Sequence, residues 1–197
     1  DGGKIAQAWP SFEVRDSQVK LATDTYRTFS EESVLMAEAG TGLGKSLAYL
    51  SAGILHSKKT NIPLVVSTYT KNLQEQLFTS DIPQLANTLD VEMHAVIYKG
   101  RHNYICLSRL ENVISNSKGL LKTRDCIEFL AIIVWSYYTH TGDISECHGF
   151  KLSYASRVWD LLKSELGYCT TSRCKRFEGC YLNDVRKSLQ KANIIIV

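Results

Sequence analysis

The first hundred residues alternate between short apolar runs and longer segments whose apolar residues recur at helical spacing. After the first run, Leu47, Leu50 and Ile54 stand at i, i+3 and i+7, which is typical of a helix with one buried face. Strands that alternate with helices predict an α/β fold with a parallel sheet built from βαβ units. The apolar runs that we expect to form its strands are residues 34–37, 64–67, 94–98 and 194–197.

From residue 99 to residue 191 the strand pattern stops, and the segment is predicted to be mostly helical. Its clearest helix carries apolar side chains at i, i+3, i+4 and i+7 over three turns. We interpret residues 99–191 as a domain inserted between two strands, with residues 1–98 before it and 192–197 as the return strand. The apolar face of this helix is predicted to hold Cys126, Phe129, Leu130, Ile133, Val134, Tyr137 and Tyr138.

A glycine-rich turn lies between the first apolar run and the helix after it. This context and the closing Gly-Lys-Ser are typical of a phosphate-binding loop, although alanine stands at its first position, Ala39. In such a loop backbone N–H groups surround a phosphate, the lysine reaches the β- and γ-phosphates, and the serine hydroxyl binds Mg²⁺. An incidental glycine-rich turn is the alternative. The predicted ATP-binding residues are Gly40, Thr41, Gly42, Leu43, Gly44, Lys45 and Ser46, and the last two are also the candidate catalytic residues.

Positive charge is concentrated near the end of the chain. Residues 151–197 contain nine Lys or Arg against four Asp or Glu, although the whole chain carries a net charge of only +3. Aromatic residues are interleaved with these cations, a combination that suits a phosphate backbone and unstacked bases. An ordinary solvated basic surface explains this charge pattern equally well. The candidate DNA-binding residues of this segment are Arg173, Lys175 and Arg176.

The cysteines suggest a metal centre in a cytoplasmic protein. The chain has neither a run of eighteen apolar residues nor the features of a secretory signal, so we expect no membrane partner. Thiols stay reduced in the cytosol, where a cysteine cluster more often binds metal than forms disulfides. Structural zinc and unmetallated thiols remain alternatives. Cys126 and Cys147 are interpreted as packing residues. The candidate metal ligands are Cys106, Cys169, Cys174 and Cys180, the last three at C-x4-C-x5-C spacing.

Five segments stand in a fixed order along the chain: residues 12–18 (FEVRDSQ), 38–46 (EAGTGLGKS), 67–77 (STYTKNLQEQL), 99–106 (KGRHNYIC) and 169–180 (CTTSRCKRFEGC). In this order they resemble motifs of the superfamily 2 iron–sulfur DNA helicases, in particular the bacterial DinG/YoaA branch related to XPD. The resemblance covers nearly the whole chain, and the order of the motifs is far more specific than any one of them.

The resemblance implies a RecA-like P-loop sheet with a mostly helical iron–sulfur domain inserted between strands. It implies that Arg15 and Gln18 recognise adenine, and the donor and acceptor of a glutamine amide match the adenine edge. It further implies that Thr70 and Gln74 contact the backbone of single-stranded DNA. The four candidate cysteines would hold a [4Fe–4S] cluster beside the point of strand separation.

The activity expected from the resemblance is that of a bacterial, cytoplasmic ATP-dependent DNA helicase in repair or replication. It would couple ATP hydrolysis to 5′→3′ movement on single-stranded and forked DNA. The acidic box and the second RecA-like lobe are not among the 197 residues, so we expect the remainder of the same polypeptide to be a partner. The chain alone is predicted to bind nucleotide weakly and to hydrolyse little.

Two other functions compete with a helicase. One is a non-catalytic nucleic-acid-binding or redox-sensing module that keeps a relic phosphate loop. The other is a P-loop kinase or small-molecule ATPase, which would leave residues 67–77 and the cysteines unexplained.

Overall fold

The structure is a computed structural model that describes residues 3–9, 12–148, 156–170, 172 and 179–197. The strands are β1 (Leu64–Val66), β2 (Ala95–Ile97) and β3 (Ile194–Ile196). A π-helical turn, Leu77–Asp81, joins α4 to α5, and 3₁₀ turns span Arg101–Asn103, Thr123–Asp125 and Ile144–Glu146. The α-helices are α1 (Lys4–Ala8), α2 (Asp16–Ser30), α3 (Lys45–Thr60), α4 (Lys71–Gln76), α5 (Ile82–Leu89), α6 (Leu107–Ser115), α7 (Ser117–Leu120), α8 (Cys126–Ser136), α9 (Arg157–Leu162) and α10 (Tyr181–Leu189).

The three strands form one parallel sheet in the order β1-β3-β2. In its register Leu64 of β1 and Ala95 of β2 both align with Ile194 of the central strand. Ile194 and Ile196, which point to the same face of the sheet, are fully buried, and Ile195 on the opposite face is half-buried. The predicted α/β class and parallel sheet are therefore confirmed, with three of the predicted strands placed within one residue at each end.

The fourth predicted strand, residues 34–37, is not a strand. Val34 is 90% exposed and Met36 is 93% exposed, and the segment has no regular secondary structure and does not join the sheet. An apolar run becomes a strand only when a neighbour accepts and donates its backbone hydrogen bonds, and no described strand does so here. The prediction from composition was wrong for this segment because pairing is not encoded locally.

The chain divides into two compact units, of which the first contains Asp1–Tyr98 and Leu189–Val197. Its core lies between the sheet and α3, where Leu50 and Ile54 are fully buried. Gly53 permits this packing, because a Cβ at that position would come within 2.6 Å of Leu64 Cδ2. The helix therefore lies closer to β1 than a larger residue would allow.

The second unit contains Lys99–Ser188 and is mostly helical over its described residues. Among its described residues, Lys99 and Asp143 form a buried ion pair, and Lys99 Nζ also donates to Ser145 Oγ at 3.0 Å. Cys147 is buried in the core, as predicted for a packing residue. The core is formed by Ile105, Leu110, Val113, Phe129, Ile132, Ile144, Cys147, Val158, Trp159 and Leu162.

Helix α8 buries only part of the face that was predicted. Phe129 and Ile132 are buried, but Leu130 is 59% exposed and Val134 is 58% exposed. Cys126 is also exposed, so the interpretation of this cysteine as a buried packing residue was wrong. Because α8 is apolar almost all round, periodicity alone does not identify the buried face. The remaining exposed apolar positions near this helix are Ile127, Tyr137 and Tyr138.

Within the described parts of the chain, none of the helices combines the length and the apolar character needed to cross a membrane.

Candidate functional site

The predicted phosphate-binding loop leads directly into α3. Gly42 and Gly44 both have a φ of 79°, in the left-handed region that favours glycine. Gly44 is the N-cap of α3, a helix of sixteen residues that begins at Lys45. The first N–H groups of such a helix have no intrahelical acceptor, and its positive dipole end favours an anion. The loop therefore has the backbone conformation and the position of an anion-binding turn.

Lys45 folds its side chain back across this loop. Its Nζ donates to the carbonyl oxygens of Ala39 at 2.9 Å and Gly40 at 2.8 Å. The amine thus lies over the loop, where phosphate oxygens could replace these two carbonyl acceptors. Ser46 follows in the first turn of α3 and is half-buried, whereas Thr41 is exposed.

Two side chains at the beginning of α2 form hydrogen bonds with the loop. Arg15 Nη1 donates to the carbonyl oxygen of Gly42 at 2.6 Å, and Gln18 Nε2 donates to that of Gly44 at 3.1 Å. Gln18 is buried, and a Cβ at Gly44 would lie only 2.1 Å from its Nε2. These contacts join residues 27 and 26 positions apart in the chain. Arg15 and Gln18 therefore hold the shape of the loop; their predicted contact with adenine stays a prediction.

A cavity of about 280 Å³ lies beside the loop. Two aromatic residues form part of its wall: the ring centroids of Trp9 and Phe12 are 6.3 Å apart with an interplanar angle of 55°. Aromatic walls with a few polar groups are typical of pockets for planar ligands. Sequence reasoning missed Trp9, Glu13 and Leu47 as lining residues, although an aromatic residue three positions before Phe12 was a usable signal. The lining residues are Trp9, Phe12, Glu13, Arg15, Gln18, Leu43, Gly44 and Leu47.

The predicted DNA-binding residues have contrasting environments. The Thr70 hydroxyl oxygen accepts from Leu73 N at 3.3 Å and so caps α4. Gln74 is only 9% exposed, and its Oε1 is buried without a hydrogen-bond partner among the residues that the structure describes. The prediction that Thr70 and Gln74 contact DNA stays a prediction. The basic residues Arg173, Lys175 and Arg176 lie outside the described residues.

Two of the candidate metal ligands, Cys106 and Cys169, have interacting thiols in the second unit. Burial raises the pKa of the Cys106 thiol to about 11, and the neighbouring Cys169 thiol adds to this, while hydrogen bonds from the backbone of Arg109 and Ser108 oppose it. Those backbone N–H groups belong to the first turn of α6, whose N-cap is Cys106. Cys169 Sγ accepts from Glu165 N at 3.4 Å.

The other two candidate ligands are less closely defined. Gly179, which precedes Cys180, lies beside the same helix, because a Cβ there would be 4.0 Å from Leu107 Cδ1. Cys174 lies outside the described residues. The described residues contain no group of three or more His, Cys, Asp or Glu side chains that could hold a metal ion. The described geometry therefore fits a pair of soft sulfur donors, and the full four-cysteine ligand set stays a prediction.

Comparison with known proteins gives relatives along the whole chain, although no protein-family model matches it. The chain is 34% identical over 196 residues to the ATP-dependent DNA helicase YoaA of Haemophilus influenzae, covering 99% of the chain and 29% of that protein. It is 32% identical over 195 residues to the protein of the same name from Escherichia coli, covering 99% of the chain and 30% of that protein. It is also 30% identical over 181 residues to the 3′-5′ exonuclease DinG of Bacillus subtilis, covering 90% of the chain and 19% of that protein.

The chain thus spans less than a third of the length of these curated relatives. The similarity to the two YoaA proteins nonetheless extends over 99% of the chain's own residues, and so includes both the loop at residues 39–46 and the cysteine segments. Over nearly its whole length the chain is therefore homologous to a part of the proteins named YoaA and DinG.

Proposed function

We propose that the chain forms the ATP-binding RecA-like lobe and the inserted iron–sulfur domain of an ATP-dependent DNA helicase. The whole protein would couple ATP hydrolysis to 5′→3′ movement on single-stranded DNA and unwind forked DNA in the bacterial cytoplasm, in repair or replication. A second RecA-like lobe would come from the remainder of the polypeptide. The observation that carries the proposal is the loop at residues 39–46, braced by Arg15 and Gln18 beside an aromatic-walled cavity.

ATP would bind across the loop and the cavity. The adenine base would lie against the Trp9–Phe12 wall, close to Gln18, and the phosphates would lie at the N-terminus of α3. Lys45 would exchange its two carbonyl acceptors for β- and γ-phosphate oxygens. Ser46 would bind Mg²⁺, which neutralises the charge that develops during phosphoryl transfer.

Cys106, Cys169, Cys174 and Cys180 would hold a [4Fe–4S] cluster. The support is the interaction between the Cys106 and Cys169 thiols at the start of α6, together with the position of Gly179 beside Leu107. The backbone N–H groups of Ser108 and Arg109 would favour the thiolate of Cys106, the form that binds iron, although burial outweighs them in the absence of metal. The cluster would supply a rigid cross-link between distant parts of the domain.

Single-stranded DNA would be contacted from both units. Thr70 and Gln74 would contribute from the segment after β1, and Arg173, Lys175 and Arg176 would contribute positive charge near the cysteines. The support is the position of Thr70 beyond β1 and the excess of positive charge in residues 151–197.

Titration of the 197-residue chain with a fluorescent ATP analogue and Mg²⁺ tests the nucleotide site. We expect Lys45→Ala to weaken binding by about tenfold or more, since a charge-assisted contact to phosphate contributes about 1.5–3 kcal/mol. Lys20→Ala is the matched control, because Lys20 lies on α2 and pairs with Asp24 rather than with the loop. Absence of binding by the unmodified chain, or equal binding by both variants, would contradict the proposal.

Absorption spectra with iron, sulfide and zinc analysis of anaerobically purified protein test the cluster. We expect visible absorption from iron–sulfur charge transfer that is lost in Cys106→Ser and kept in Cys126→Ser, because Cys126 is an exposed cysteine outside the proposed ligand set. Colourless protein with stoichiometric zinc, or with free thiols, would contradict the cluster but not the nucleotide site.

A further inference from the structure

We propose that the ring of Tyr69 is a stacking platform for an unpaired base of single-stranded DNA. The inference rests on the proposed function and extends it, because it names a base contact in addition to the expected backbone contacts. Two observations carry it: the position of Tyr69 at the sheet edge and the complete exposure of its ring.

Tyr69 lies in the loop that follows β1, at the carboxyl edge of the sheet. Thr68 N at this edge donates to Val197 O at 2.9 Å, beyond the end of β3, and Tyr98 N donates to Ile196 O at 2.8 Å. In open parallel sheets, ligands bind outside the carboxyl ends of the strands. Tyr69 therefore occupies the edge at which a ligand is expected, on general grounds that do not depend on the family.

The Tyr69 side chain contributes nothing to the packing of the chain, since its exposure is 103% of the reference value. A tyrosine ring offers roughly 150–250 Å² of amphipathic surface that usually packs against something. A fully solvated ring at a ligand-binding edge has no structural explanation within the described residues. A flat partner such as a nucleobase would cover it.

The residues around Tyr69 are already engaged in holding the loop. Thr68 Oγ1 donates to Thr70 O at 3.2 Å, and the Thr70 hydroxyl oxygen caps α4 by accepting from Leu73 N. Gln74, one turn further on, is buried. The loop is thus shaped by its own hydrogen bonds, and the group that it presents to solvent is the aromatic ring.

Base stacking on an aromatic ring suits a protein that moves along DNA. Every base has a flat face, so stacking tolerates all sequences, whereas hydrogen bonds to base edges do not. The ring carries no charge, so its contribution should be separable from that of phosphate contacts by its independence from salt.

Binding of two fluorescent strands of equal length, oligothymidine and an abasic strand, to the 197-residue chain tests this inference. We expect Tyr69→Ala to weaken oligothymidine binding by about 5- to 150-fold without changing its salt dependence, and to leave abasic binding unchanged. Tyr69→Phe should keep the affinity, because it keeps the ring. Tyr137→Ala is the control for loss of an exposed tyrosine elsewhere.

The outcomes separate this inference from the proposed function. If the unmodified chain binds neither strand, DNA binding by this chain fails and the inference fails with it. If it binds oligothymidine but Tyr69→Ala has no effect, or weakens both strands equally, only the stacking contact is overturned. Thermal melts monitored by circular dichroism should be the same for all variants, since the ring makes no packing contact.

Discussion

At the residue scale, Gly44 combines two requirements that only glycine meets. Its φ is 79°, and a Cβ would lie 2.1 Å from Gln18 Nε2. We expect Gly44→Ala to lower the free energy of unfolding by about 1–3 kcal/mol, measured by urea denaturation, and to weaken nucleotide binding. Adding Gln18→Ala should restore part of the stability by removing the clash. Gly40→Ala is the control, because nothing lies within 4 Å of a Cβ at that position. Equal unfolding free energies of Gly44→Ala and Gly40→Ala would contradict this account.

Asp125 provides a test of electrostatics in the second unit. Its carboxylate accepts from Lys122 N at 2.9 Å and from Arg157 Nη1 at 2.6 Å, and these contacts, the backbone hydrogen bond first, lower its pKa. A lowered pKa in the folded state stabilises the protein above the unfolded pKa of about 3.9, and this stabilisation is lost as the pH falls through the folded value.

We therefore expect Asp125→Asn to be less stable than the unmodified chain at neutral pH, with a difference that shrinks as the solution is acidified. Urea denaturation across this pH range measures it. Asp184→Asn is the control, because Asp184 is half-exposed in a surface pair with Lys187. A difference between Asp125→Asn and the unmodified chain that does not depend on pH would show that the charge of Asp125 is not the cause.

At the scale of elements, helix α8 shows how neighbours select one face of an apolar helix. We expect Phe129→Ala to cost about 3–5 kcal/mol and Ile132→Ala about 2–5 kcal/mol of unfolding free energy, because both side chains are buried. Leu130→Ala and Val134→Ala are matched controls on the exposed face and should stay within about 0.5 kcal/mol. Comparable losses from both faces, measured by urea denaturation, would contradict the described orientation.

At the scale of the whole molecule, the decisive element is β3. This central strand follows the entire second unit in the chain and pairs with two strands that precede it. Ile194 aligns with both Leu64 and Ala95, so the centre of the sheet depends on contacts between residues far apart in the chain. We expect Ile196→Ala to cost about 2–5 kcal/mol, whereas Val65→Ala, whose side chain is 59% exposed, should cost far less. Similar losses of unfolding free energy would contradict a central position for β3.

Because β3 lies far along the chain from β1 and β2, we also expect the protein to fold slowly. Contacts between distant residues must be closed before the sheet is stabilised, so refolding should take milliseconds or longer rather than microseconds. Stopped-flow refolding from urea, followed by tryptophan fluorescence, measures it. Complete refolding within microseconds would contradict the dependence on β3.

The sequence by itself determined the features that depend on local chemistry. A glycine-rich turn that ends in Gly-Lys-Ser before a helical segment predicted the loop at residues 39–46, and apolar runs predicted three strands to within one residue. Motif order was also sufficient to predict the family, which the comparisons confirmed. Each of these signals lies within a short segment, so no distant partner is needed to recognise it.

Only the tertiary structure decided the features that depend on which segments meet. The apolar run at residues 34–37 has no neighbouring strand, although its composition matches the others. The bracing of the loop by Arg15 and Gln18, and the cavity wall formed by Trp9, depend on chain segments that fold back onto each other. The complete exposure of Tyr69 is likewise visible only in the folded chain, because no described segment packs against its ring. Composition and periodicity state which surfaces are apolar, but the folded chain alone determines which of them are covered.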